Sequence, residues 1–373
     1  MAKRPDKEIV QRIWHAGVAA VGGEASVSAA LRRLNPRVPD QIIAVGKAAA
    51  AMAGAAIDHY GHEIPTLVVT KYGHSKAPSA SAKIIEAAHP VPDQNSLHAG
   101  QMIANTVDRM SNDSHLLLLV SGGASSLAEF LNDGLTLDDL ATENRRMLSA
   151  GLDIHAMNTR RKSLSQIKGG KLLDRFGGAS ATVLAVSDVE GDALSTIGSG
   201  IGDAPENPDF AFESHIVASN FVARQAAIKA AENANLRVLS NSEDLYDDVN
   251  KLAPMLAKRL KSSPCGLHVF GGEPTVILPD SPGRGGRNQA LALNLAREIQ
   301  GTEGLTILVA GTDGSDGPTD AAGAIVDGNT WDASAEDALV RADAGTWLDQ
   351  RGALLRTGPT GTNVMDLMIA LRT

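Results

Sequence analysis

Aromatic residues are scarce: Phe, Trp and Tyr together make up 3% of the 373 residues. No row of rings is available to stack nucleic-acid bases, and the core has to be built from Ala, Leu, Val and Ile. Cys265 is the only cysteine, which excludes an internal disulfide and a thiolate metal cluster and makes a reducing cytoplasm the simplest home. Basic charge is not in excess: 34 Lys and Arg stand against 43 Asp and Glu, for a net charge of -9. That balance argues against a nucleic-acid or anionic-membrane surface. No stretch approaches the roughly 18 apolar residues of a membrane span. Lys3, Arg4 and Lys7 are not followed by the apolar core of a signal peptide. The expectation is a soluble cytoplasmic protein with no nucleic-acid and no membrane partner, in which any phosphate is met by local groups. Specific devices are missing too. No G-x-G-x-x-G follows a strand, Gly198 to Gly202 being one residue short; no His pair has zinc spacing, and no G-x-S-x-G elbow occurs. Dinucleotide, zinc-hydrolase and serine-esterase readings weaken together.

Hydrophobic residues make up 43% of the chain, and at this length two domains are the default. Ile9, Ile13, Trp14 and Val18 recur at helical spacing over Asp6 to Val21. Strand-like and helical runs then alternate: Gln41 to Val45, the Ala-rich Lys47 to Tyr60, Thr66 to Thr70, Ser96 to Met110, Leu116 to Val120, Arg160 to Phe176 and Thr182 to Val186. This is the pattern of an α/β fold with a parallel sheet covered by helices on both faces. His215 to Ser240 reads strand, helix, strand, and Glu243 to Leu260 reads as a helix leading to a hinge or loop at Ser262-Ser263-Pro264. Beyond it strands come in closer succession, and a last helix is expected from Thr362 to Leu371. The boundary is expected within 240–262, giving domains 1–245 and 246–373.

Glycine-rich polar loops stand where apolar runs stop: Ser121-Gly122-Gly123-Ala124-Ser125-Ser126, Gly271-Gly272-Glu273-Pro274-Thr275 and Gly311-Thr312-Asp313-Gly314-Ser315-Asp316-Gly317. Glycine lets backbone N–H groups approach a ligand, and such groups at a strand-to-helix turn form an anion site. Ser121 to Ser126 carries two adjacent glycines, more than helix capping needs, without being a Walker loop. Gly46-Lys47 follows a strand and opens a helix, where a cation is disfavoured unless an anion is bound; by position alone an exposed first-turn lysine fits equally well. Arg287 opens another helix after Gly283-Arg284-Gly285-Gly286, and guanidinium suits phosphate or carboxylate. The cations from Arg160 to Lys171 could gather a polyanion, although a solvated helix face is the commoner fate of such runs. Asp188, Glu190 and Asp192 follow a strand end, the usual supply of Mg²⁺ ligands, with Asx-turns as the competing role. Asp313, Asp316 and Asp320 do not have EF-hand spacing but could hold Mg²⁺ or orient a hydroxyl. In an open α/β sheet such loops converge at the carboxyl ends of the strands.

Taken in order, the loops resemble one family, the glycerate 2-kinases formerly labelled hydroxypyruvate reductases, with a MOFRL-type C-terminal domain. The likeness runs through Ala44 to Ala48, Ala88 to Asp93, Val120 to Ser125, Asp153 to His155, Lys168 to Gly170, Ser187 to Asp192, Gly272 to Val276, Gly286 to Gln289, Gly311 to Gly314 and Thr357 to Asn363. Each piece is weak alone, and their order is specific. The resemblance implies a larger Rossmann-like α/β/α domain, a smaller α/β domain and an active site in the cleft between them. It implies ATP- and Mg²⁺-dependent phosphorylation of D-glycerate at the 2-hydroxyl to give 2-phosphoglycerate. Lys47 and Arg287 become the expected catalytic residues; Ser121, Gly122, Gly123, Ser125, Gly272, Glu273, Asn288 and Asp313 are expected to bind the nucleotide or acid. Asp188 and Asp192 are the expected metal ligands, and a homodimer is admitted as the assembly. A kinase for a longer hydroxy acid, an NAD(P)H-dependent hydroxypyruvate reductase and a non-catalytic nucleotide-responsive protein stand as alternatives. One departure is Gly198 to Asp203, where the family usually has Ser-Gly-Pro; losing that proline is expected to free the loop and alter substrate choice or closure.

Overall fold

A computed structural model describes residues 4–75, 82–149 and 154–373. Asp153, one of the residues carrying the family likeness, lies outside them. The chain divides into two compact units: Gly22–Ser219 with Gly361–Asn363, and Met1–Val21 with Asn220–Thr360 and Val364–Thr373.

Among the described residues the first unit holds six strands: β1 (Gln41–Val45), β2 (Thr66–Lys71), β3 (Lys83–Ala87), β4 (His115–Val120), β5 (Ser180–Val186) and β6 (Ala211–Ala218). They form one sheet in the order β3-β2-β1-β4-β5-β6, and every neighbouring pair is parallel. This is the strand order of a Rossmann sheet, whose direction of winding reverses between β1 and β4. The central strands read as unbroken apolar runs because both faces are covered: Leu116 to Val120 is buried throughout. Helices Ala49–Tyr60 and Gln94–Asp108 supply part of that cover, the second started by a capping box between Asp93 and Ser96. Ala-rich composition suits the first of these, because seven of its residues, five of them alanine, are buried.

The second unit has β7 (Val238–Glu243), β8 (Gly266–Gly272), β9 (Leu305–Gly311), β10 (Gly323–Asp327), β11 (Leu354–Leu355) and β12 (Asp366–Arg372), ordered β11-β10-β9-β12-β8-β7. Only β7 and β8 pair in parallel. The expected C-terminal helix is here a strand. Asp366 to Leu371 is buried on both faces between β8 and β9, so the helix-favouring Leu, Met and Ala take extended backbone to complete the ladder. The expected domain boundary also differs from this division. Helix Val249–Ser262 lies inside the second unit and joins β7 to β8, which are neighbours in one sheet. The N-terminal helix Arg4–Ala20 belongs to the same unit, where Trp14, fully buried, donates its Nε1–H to the Ala310 carbonyl at 3.4 Å. Among the described residues, no helix is long and apolar enough to cross a membrane.

Candidate functional site

In the first unit, the loops after β1, β4 and β5 come together at the point where the sheet reverses. Ser121 N–H donates to Val45 O at 2.9 Å, Lys47 N–H to Gly122 O at 2.9 Å and Ala48 N–H to Ser121 Oγ at 3.1 Å. The Gly46-Lys47 turn is thereby fastened to the Ser121-Gly122-Gly123 turn, and Ser121 is fully buried. Gly46 has φ 127°, and a Cβ there would lie 2.4 Å from the Ser121 carbonyl oxygen, so only glycine allows this approach. A Cβ on Gly122 would lie 2.0 Å from Asp188 Oδ2 and 2.3 Å from Asn363 Nδ2; those two groups are themselves hydrogen-bonded at 3.1 Å. A Cβ on Gly123 would stand 3.1 Å from the His89 ring and 3.3 Å from Lys47 Cγ. Lys47, Ser121, Gly122, Gly123 and Asp188, expected from sequence as site residues, thus form one cluster, joined by His89 and Asn363.

Ser125 lies one turn further on, in helix Ala124–Leu127, and its carbonyl accepts from Lys168 Nζ at 2.6 Å. Lys168 also pairs with Glu129, and both side chains are buried. Asp192 ends the short helix Glu190–Asp192 with φ 55°. Among the described residues no group of three or more His, Cys, Asp and Glu is placed to hold a metal. Mg²⁺ needs fewer: it is commonly held by one or two carboxylates, substrate phosphates and water. Asp188, whose carboxylate borders the Gly122 backbone, fits that donor set. The Gly198 to Asp203 loop, expected to be freed, is buried from Gly198 to Gly202. It is tied by Gly169 N–H to Ser199 O and Gly170 N–H to Gly200 O, both 3.0 Å.

The second unit builds a different cluster. Asp366, the first residue of β12, lies in register between Gly272 and Gly311, the last residues of β8 and β9. It is fully buried and accepts from Arg287 Nε at 2.6 Å and Asn288 Nδ2 at 2.9 Å. Arg287 also pairs with Glu273 at 2.6 Å, and its side chain remains 35% exposed. Burial works against its charge, but Asp366, Glu273 and Asp316 outweigh that cost, and the guanidinium holds its proton more tightly than usual. Asp316 caps the helix Arg287–Glu298, accepting from Asn288 N–H at 3.1 Å and Gln289 N–H at 2.8 Å. Gly286 is required here because a Cβ would lie 2.3 Å from the Asp316 carboxylate. The anion that a cation at this helix start calls for is supplied from within, by Asp366 and Glu273. Gly272 is explained by packing: its φ is 137° and a Cβ would meet the Leu245 backbone at 2.9 Å. Asp313 takes the Asx-turn role, its carboxylate accepting from Ser315 N–H at 2.9 Å.

Asp316 is 3% exposed. Burial pushes its carboxyl up to about 7, although the Gln289 and Asn288 amides work in the other direction. The folded state therefore holds a proton that the unfolded chain, with the carboxyl near 3.8, has released. This contribution to stability is present at acid pH and is lost as pH rises to about 7. Asp316→Asn is expected to flatten stability across that window, by up to a few kcal/mol relative to wild type, as measured by urea unfolding at its two ends.

Residues 9–231 match the domain of unknown function DUF4147, and residues 266–366 match the MOFRL family. A D-glycerate 2-kinase of Thermotoga maritima is 36% identical, over 98% of each chain. The chain belongs to the glycerate 2-kinase family. Its fold agrees: the crystal structure of a glycerate kinase from Thermotoga maritima superposes with a TM-score of 0.87 at 34% identity, covering 100% of both chains. A protein of Agrobacterium vitis described as a putative hydroxypyruvate reductase is 34% identical over 98% of this chain and 94% of its own. As a member of the glycerate 2-kinase family the chain is an enzyme of the kinase class. The clusters around Lys47 and Arg287 are the polar devices its loops build. Sequence reading missed Asp366, Asn363 and His89 as site residues. His89 and Asn363 carried only the family likeness, and Asp366 was hidden in the segment read as a helix.

Proposed function

We propose that the protein is an ATP- and Mg²⁺-dependent D-glycerate 2-kinase producing 2-phosphoglycerate. The observation that carries this reading is the near full-length likeness to the Thermotoga maritima D-glycerate 2-kinase, together with a Rossmann-order sheet whose reversal point bears Lys47 and the Ser121-Gly122-Gly123 turn. Phosphoryl transfer asks little covalent chemistry of a protein; it requires positioning and neutralisation of charge on the transferring group. The 2-hydroxyl oxygen bonds to the γ-phosphorus as the bond to the β-phosphate bridge breaks, and the hydroxyl proton leaves to a carboxylate. Lys47 supplies positive charge beside the backbone cradle. Arg287, held in place by Asp366 and Glu273, supplies a guanidinium that remains partly open to a ligand. Asp188 would hold Mg²⁺, with Asp192 a second acid of the same loop, and the ion would supply neutralisation of charge on the phosphates.

The role of the cradle is testable without touching a cation. Gly122→Ala forces Asp188 and Asn363 from their positions. The expected result is a turnover reduced roughly 10²-fold, the scale of a small misplacement at a reacting centre, with stability lowered by the roughly 1–3 kcal/mol that overpacking costs. Unchanged turnover would remove the Gly122 backbone from the site. The reductase reading is tested by following nicotinamide absorbance with hydroxypyruvate. No oxidation is expected, in keeping with the missing dinucleotide fingerprint.

A further inference from the structure

A cavity of about 170 Å³ lies within the first unit and is lined by His89, Ser125, Ser126, Glu129, Arg161 and Lys168. It adjoins the phosphate cradle. His89, one of its walls, also borders the position that a Cβ on Gly123 would take, 3.3 Å from Lys47 Cγ. Two of its charged groups satisfy each other: Lys168 and Glu129 are 2% and 1% exposed and form an ion pair. Two capacities are left over. Glu129 Oε1 is buried and has no hydrogen-bond partner among the described residues. Arg161 is half-buried, and makes no hydrogen bond or ion pair among the described residues. The cavity therefore carries the equivalent of one uncompensated positive charge and one open acceptor. A buried acceptor without a donor and a half-buried cation without an anion are each unfavourable, and a ligand that brings one negative charge and one hydroxyl relieves both.

We propose that this cavity seats the acceptor acid, a short hydroxy acid bearing one carboxylate, with the carboxylate on Arg161 and a hydroxyl donating to Glu129 Oε1. The inference rests on the kinase reading and deepens it by separating the acid from the nucleotide: the acid occupies the space walled by His89, Ser125 and Glu129, and the phosphates lie over the Ser121-Gly122-Gly123 turn. Burial makes the Arg161 guanidinium hold its proton less tightly, while Glu129 acts in the opposite sense, as expected for a cation that lacks a close anion. Lys168 then acts as a positioning residue: through its pair with Glu129 and its bond to the Ser125 carbonyl it fixes the cavity wall.

The test is calorimetric titration of D-glycerate, with and without ADP, into the full-length wild type and the Arg161→Met variant, alongside KM values for acid and nucleotide. Methionine keeps an apolar stem and removes the charge, so the fold is expected to survive with an unchanged or higher thermal midpoint. Acid affinity is expected to fall roughly 10- to 100-fold, with the nucleotide KM unchanged and partial recovery in Arg161→Lys. Unchanged acid affinity in Arg161→Met, or a wild type that binds no glycerate in either condition, overturns the proposal. The two readings fail separately. A wild type that binds glycerate through Arg161 and forms no phosphorylated product contradicts the kinase and keeps the cavity. A wild type that turns glycerate over, with an Arg161→Met variant of unaltered acid KM, contradicts the cavity and keeps the kinase.

Discussion

Lys47→Ala lowers kcat by roughly 10³-fold or more while leaving the unfolding midpoint nearly unchanged; this is the expectation for a cation that acts on transferring phosphoryl charge. The structural argument is local. What anchors residue 47 is its backbone: the N–H bond to Gly122 O survives replacement by alanine, and Gly46, not Lys47, makes the close approach to Ser121. The side chain is only partly buried, so its loss creates no large cavity. Steady-state kinetics beside thermal unfolding of the same preparation separates the two effects. Near wild-type turnover in Lys47→Ala would remove the residue from the chemistry.

Arg287→Ala combines two losses. Turnover is expected to fall by roughly 10³-fold, on the scale seen when a charge-stabilising arginine is removed from a phosphoryl-transfer site. Stability also falls, because Asp366, fully buried, keeps Asn288 Nδ2 but loses the guanidinium that balances its charge. Breaking one side of a buried pair typically costs about 3–5 kcal/mol; with the arginine side chain 35% exposed, the lower end of that range applies. Arg287→Lys separates the effects. An ammonium still opposes Asp366, but it cannot donate in a planar fork to Asp366 and Glu273 while leaving N–H groups for a ligand. Most of the stability is expected to return in Arg287→Lys and most of the turnover is not. Recovery of both together would make Arg287 a structural cation only.

Much of the first unit could be read from sequence because its signals are local. β1 occupies Gln41–Val45, the span its apolar run indicates, and the Gly46-Lys47 and Ser121 to Ser126 loops stand at strand ends. Strand order, which turns those separate loops into a cluster, is a non-local property that no single segment encodes. Helix Gly23–Leu34 was not anticipated; it begins at a glycine pair, has no side-chain cap and ends on Asn35 in the left-handed region. Sheet completion decided β12, because burial on both faces erases the alternation that separates a strand from a helix. The anchoring of Arg287 was similarly hidden. Its partner Asp366 is 79 residues away, and only the register of β12 between Gly272 and Gly311 brings them together. Asn363 reaches Asp188 across 175 residues of sequence. The paired glycines drew attention to the Ser121 turn, whereas Lys47 and Asp188, for which position alone left an exposed lysine and an Asx-turn open, were expected through the family resemblance. The carboxylates that set the charge balance around Arg287 required the fold.

The most direct measurement of the central claim is incubation of the purified protein with ATP, Mg²⁺ and D-glycerate, with enolase added to convert any 2-phosphoglycerate to phosphoenolpyruvate. A phosphoenolpyruvate signal that needs all three components and disappears in Lys47→Ala is the predicted result. ADP release without phosphoenolpyruvate would contradict transfer to the 2-hydroxyl, and absence of ADP with D-glycerate would contradict the assigned substrate.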